Sequence, residues 1–156
     1  MAGVKINGST GSFLTTTNDQ TLMQILAAGN HGVLVFRIQV DVNPNGIGSP
    51  AVGSYHVEKQ TDAGSTTGAV TLYKLGPDPE TIQTAATYKA TSEPTGSDVV
   101  SPIRLATFGG TAITTVIFNF PRGLKVDGSE RLGVVQNLSA TPSPYPKISV
   151  TFDMEE

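Results

Sequence analysis

The sequence contains no cysteine and no tryptophan. The first absence removes disulfide frameworks, thiolate metal sites and cysteine nucleophiles together, and it fits a reducing compartment. The second, with aromatics at only 6%, argues against a sugar cleft built from stacked rings. Charge is also scarce: 15% of residues are charged and the formal net charge is −3. Without a basic excess there is little to displace counterions from a phosphate backbone, so nucleic acid is not expected as a partner. No apolar run approaches the roughly 18 residues of a spanning helix, so no membrane partner is expected. The opening MAGVKINGSTGSFL has no basic region followed by an apolar run, which gives no sign of a signal peptide. Catalytic signatures are missing as well, both the Gly-x-Ser-x-Gly elbow and the Gly-x-x-x-x-Gly-Lys phosphate loop.

What is present is punctuation. Seventeen glycines and ten prolines break the chain into short segments, as in a many-turned β protein. Between the breaks, side chains alternate with period two. Leu34, Phe36, Ile38, Val40 and Val42 oppose Arg37, Gln39, Asp41 and Asn43, and Ile148, Val150, Phe152 and Met154 alternate with Ser149, Thr151 and Asp153. Weaker strands are expected over Tyr55–Thr61, Ala69–Leu75, Thr84–Thr91 and Val99–Thr107, the last softened by Pro102. Stronger ones cover Ile113–Phe120, ended by Pro121, and Arg131–Leu138. Leu22–Ala28 has some helical propensity but is too short to stand alone. The sum is eight or nine short strands with no convincing amphipathic helix, which predicts an all-β, two-sheet antiparallel sandwich of jelly-roll type. Residues 1–21 are small, polar and glycine-rich and read as an N-terminal arm or lead-in, leaving one sandwich domain over residues 22–156.

Few residues suggest chemistry. Asp41-Val42-Asn43-Pro44-Asn45-Gly46 matches the first half of a calcium loop, but Val52 stands where a bidentate glutamate belongs, and the stretch reads as a turn ending a strand. Of the histidines, His31 and His56, only His56 has a carboxylate at ligand-like spacing, Glu58. Two donors on alternate strand positions read as a solvated face, since a metal site needs three or four. Asp153, Glu155 and Glu156 end the chain as a charged tail without the separation that paired catalytic carboxylates require. Gly8–Gly11 and Gly109–Gly110 read as turns, and Asn137-Leu138-Ser139 matches a glycosylation acceptor without a secretion signal. The expectation is therefore no catalytic residue, no metal and no cofactor.

The blocks LMQILAAGNHGVLVFRIQVDV (22–42), EKQTDAGSTTGAVTLYKLGPDPETIQTAATYKATSEPTGSDVV (58–100) and GSERLGVVQNLSATPSPYPKISVTFDMEE (128–156) share threonine-, alanine- and glycine-rich strands, few charges and a closing β-strand. In this they resemble small structural proteins of tailed phages and prophages. The resemblance implies a jelly-roll protein of the virion, most simply a capsid decoration protein that binds the major capsid protein, self-associates as a homotrimer and has no enzymatic role. A small tail or fibre component is the alternative it implies. A glycan-binding attachment module is a further alternative. It would need Tyr55, Tyr73, Tyr88 and Tyr145 to gather in one shallow groove.

Overall fold

The structure, a computed structural model, describes residues 3–77, 79–99 and 103–156. Among them are twelve strands: β1 (Lys5–Leu14), β2 (Asp19–Leu26), β3 (Val33–Asn43), β4 (Ile47–Gln60), β5 (Ser65–Ala69), β6 (Thr71–Lys74), β7 (Ala85–Ser92), β8 (Gly96–Asp98), β9 (Ile103–Gly110), β10 (Thr114–Val126), β11 (Arg131–Leu138) and β12 (Lys147–Glu155). A five-stranded sheet has the order β10-β3-β12-β1-β6. A seven-stranded sheet runs β5-β7-β2-β11-β4, with β8 and β9 following one another along the far edge of β4.

One rule orders the pairing. β1 pairs with β12, β2 with β11, β3 with β10 and β4 with β9, all antiparallel. The chain is thus one long hairpin of strand pairs, and successive pairs fall alternately into the two sheets. That connectivity is a jelly roll. Eight strands make the roll. The other four, β5 to β8, are inserted between β4 and β9 and extend both sheets: β6 adds beside β1, β5 and β7 beside β2, and β8 against the end of β4. The eight or nine strands expected from sequence become twelve because β1 and β2 are strands, and because the insertion, rich in threonine and glycine, contributes four short strands where two were expected.

Between the sheets, the described residues form a single apolar cluster. The five-stranded sheet contributes Ile6, Ile38, Val40, Val150 and Phe152, and the seven-stranded sheet contributes Met23, Ile25, Tyr55, Val57, Leu132 and Val134, all essentially inaccessible. Each residue kept from water removes roughly 1.5–3 kcal/mol of unfavourable apolar hydration relative to exposure.

Three expectations need correction. Residues 5–14 are not an arm: β1 is hydrogen-bonded on both sides, to β12 and to β6. Its inward positions are Val4, Ile6 and Gly8, so the apolar signal is thin. Gly8 is small because the Phe152 ring of the neighbouring strand occupies the space its side chain would fill. In β3 the buried set is Val33 and Val35 with Ile38, Val40 and Val42, whereas Leu34 and Phe36 are only half-buried. The partners on both sides skip Phe36, so a bulge there reverses the inside–outside parity. Pro121 does not end β10, which continues to Val126. β10 is the sheet's edge, and the proline falls in an irregular stretch between Asn119 and Leu124, where a missing N–H leaves no ladder position empty. The break expected at Pro102 lies outside the described residues.

Leu22–Ala28 falls largely in β2, whose residues Gln20 to Ile25 are all buried. A strand covered on both faces shows no alternation, which is why a helix competed for it on sequence grounds.

Candidate functional site

The outer face of the seven-stranded sheet is covered at one end by two connections. The chain from β4 to β5 and the chain from β7 to β8 both pass over β2 and β11, and they brace each other. Thr61 N–H donates to the Thr95 carbonyl at 2.8 Å, and the Asp62 carboxylate accepts from the backbone N–H groups of Gly64 and Thr95 at 3.0 and 3.1 Å. These two bonds hold the Asp62 carboxyl below its ordinary range. Beneath them is a buried polar network. Gln60 donates to Thr21 Oγ1 at 3.0 Å, Gln24 donates to Gln60 Oε1 at 2.6 Å and to the Asp62 carbonyl at 3.1 Å, and the Thr21 N–H donates to Glu93 Oε2 at 2.6 Å. Both buried amides are hydrogen-bonded, as burial demands.

Beside this network, His56 and Glu58 project outward from β4, two residues apart. β8 pairs with β4 so that Asp98 lies directly opposite Glu58. His56 Nε2 stands 3.4 Å from Asp98 Oδ1, and donor atoms of all three side chains lie within 4.8 Å of one another. The Glu58 carboxylate folds over Gly96 of β8, where any side chain would displace it. Burial, together with the charges of Asp98 and Glu93, pushes the Glu58 carboxyl above its ordinary range, against a hydrogen bond from Gln60 and the nearby His56. His56 Nδ1 is buried with no hydrogen-bond partner among the described residues. The sequence offered His56 and Glu58 as a pair. Asp98, 40 residues beyond Glu58 in a three-residue strand, carried no signal of its own.

The outer face of the five-stranded sheet is polar at its centre. Arg37 donates to Gln39, Gln39 donates to Asp41 at 3.0 Å, and Thr115 donates to Asp41 at 2.7 Å. Asn7 donates to Asp153 at 2.9 Å. The flanks are apolar. On and beyond β6, Tyr73 is 62% and Leu75 57% exposed; at β10, Ile113 is 64% and Ile117 41% exposed. Tyr73 pairs with Asn7, and Ile117 pairs with Gln39, so both share the outward face of these polar partners. The two flanks are four strand spacings apart, about 19 Å. A shallow hollow adjoins each: one among Lys5, Phe36, Leu75 and Asp153, the other among Ser12, Asp41, Ile113 and Lys147.

The remaining candidates take structural roles. Asn45 (φ 57°) and Gly46 (φ 77°) are the centre of a two-residue hairpin between β3 and β4, closed by Ile47 N–H to the Pro44 carbonyl at 3.2 Å. Asn43 Oδ1 accepts from Asn45 N–H, and the Asp41 carboxylate is engaged on the sheet face, so the oxygens of the calcium-like stretch do not converge. His31 is exposed in the turn between β2 and β3. Tyrosines do not gather: Tyr55 is in the core, Tyr88 lies against Phe13 at 5.4 Å, Tyr145 reaches Asn18, and Tyr73 stands apart on β6. The terminal acids are clasps and not a loose tail. Glu155 accepts from the Gly3 N–H, and Glu156 from the N–H groups of Gln83 and Thr84. Asn137 donates to Asp19 on the sheet surface.

Compared with known protein families, curated proteins and solved structures, the chain shows no match.

Proposed function

We propose that the protein is a structural component of a phage particle, a decoration protein that binds the assembled capsid and bridges neighbouring shell subunits. The observation that carries this reading is the pair of apolar flanks on one sheet face, Tyr73 with Leu75 and Ile113 with Ile117, separated by a satisfied polar centre. Large exposed apolar side chains grouped in this way favour contact with another protein. Two groups about 19 Å apart suit a molecule that touches two subunits at once. The sequence resemblance to virion proteins supplies the kind of partner.

The mechanism is mass action. A ligand that binds only the assembled shell stabilises it by RT ln(1 + [L]/Kd), about 2.7 kcal/mol at a hundredfold excess over Kd. A homotrimer would multiply the contacts and match the closed symmetry of shell axes. Nothing in this role requires a catalytic group, and we assign none.

Co-sedimentation with emptied capsids tests the reading. Wild-type protein should pellet with the shells, and Tyr73→Ser and Ile117→Ser should each weaken its retention while leaving the fold intact by circular dichroism. Equal retention of both variants would remove the apolar flanks as the binding surface.

A further inference from the structure

We propose that His56, Glu58 and Asp98 form a binding site for a divalent transition-metal cation of the zinc class. The topology that makes the site is specific. β4 presents an imidazole and a carboxylate on alternate positions, and β8 places a second carboxylate directly across from the first. Two carboxylates opposed on neighbouring strands repel one another, and their proximity needs compensation. Among the described residues no lysine or arginine is ion-paired to either: the neighbouring Lys59 is bound to Glu130 at 2.8 Å.

One donor pair already stands at the spacing of an ion's ligands, and the third donor lies within 4.8 Å of it. Zinc takes imidazole nitrogen and carboxylate oxygen at about 2.0–2.2 Å in a tetrahedral arrangement, which sets two of its ligands about 3.4 Å apart. His56 Nε2 and Asp98 Oδ1 are 3.4 Å apart. The Glu58 carboxylate, turned over Gly96 instead of out to solvent, is kept close to the other two donors. One nitrogen with two oxygens is a donor set for zinc and its neighbours in the transition series, and one nitrogen separates it from the all-oxygen cages of calcium and magnesium. Three protein ligands leave a fourth position for water, and Asp98 is half-exposed on its side chain, which gives an entry path. Bound there, the ion would tie the three-residue β8 to β4 and neutralise the opposed carboxylates. Metal binding here is independent of particle binding: either can fail without the other.

The rival state is His56 in contact with Asp98 without metal, and calorimetry separates the two. Zn²⁺ is titrated into the full chain after dialysis against chelator, with wild type, His56→Gln, Asp98→Asn and His31→Gln. The wild type should take one ion per chain in a saturable step. His56→Gln and Asp98→Asn should each weaken it by at least about the tenfold that losing a ligand's hydrogen-bond partner costs. His31→Gln should bind as the wild type does. Absence of a saturable step, or wild-type affinity in both site variants, overturns the proposal. Should the variants fold poorly, Co²⁺ added to the wild type decides: intensified visible bands are expected, and the unchanged spectrum of aqueous Co²⁺ refutes the site.

Discussion

The side-chain amide of Gln60 lies across Gly133 on its way from β4 to β2, in the space a side chain at position 133 would occupy. Glycine on the central strand β11 therefore lets one glutamine of β4 reach β2 across it, beneath the crossover connections. Gln60 is itself flexible, so a methyl at position 133 would not clash with anything rigid. The cost would come from driving the amide off Thr21 and Gln24, to which it is hydrogen-bonded in a buried setting. Leaving buried polar groups unmet costs about 1–3 kcal/mol, and Gly133→Ala is expected to destabilise by that amount in urea unfolding. In a Gln60→Ala background the same substitution should cost measurably less, because the displaced group is gone.

Gly8 and Phe152 pose a different case. The ring is fully buried and cannot move aside, so Gly8→Ala overpacks the core. A loss of about 1–3 kcal/mol is expected from thermal or urea unfolding. Phe152→Leu combined with Gly8→Ala should recover part of it. Deleting residues 1–16 should be far worse and abolish cooperative unfolding, since it strips β12 and β6 of the strand between them.

Tyr55 governs the alkaline limit. Its hydroxyl is in the core, 3.4 Å from Gln136 Oε1, and burial pushes the phenol far above its ordinary value. A raised folded-state value means the contribution is fully present below the unfolded value near pH 10 and is lost as pH rises from there toward the folded value. Stability measured across that window should fall in the wild type and fall less steeply in Tyr55→Phe. Equal slopes would show that the phenol ionises in the folded state.

Asp62 acts at the acid end. The Gly64 and Thr95 N–H groups that depress it make its contribution present above the ordinary carboxylate range and lost as pH falls through the lower folded value. Asp62→Asn should therefore be less stable than the wild type at neutral pH, and the difference should shrink as pH falls below the ordinary aspartate value.

Much of the fold was legible because one-sided strands advertise themselves. β12 shows clean alternation, whereas β11, buried on both faces along most of its length, was bounded by the Asp127-Gly128 turn before it and the proline-rich stretch from Thr141 after it. What escaped had physical causes. β1 hides behind Gly8, whose core volume is supplied by Phe152 on another strand. β2 is covered on both faces and has no period. The bulge at Phe36 is a tertiary event that no local pattern announces. The candidate metal cluster was two-thirds readable: strand spacing joins His56 to Glu58, but the partner from β8 depends on the register of an inserted strand. The exposed flanks were not readable at all, because Tyr73 and Ile117 look like ordinary strand residues until the sheet's order puts them on its edges.

The most direct measurement is the number of copies of this chain in purified phage particles, by quantitative mass spectrometry against the major capsid protein. The bridging role predicts a copy number in fixed proportion to the capsid lattice. A handful of copies confined to the tail, or none in the particle, would contradict it.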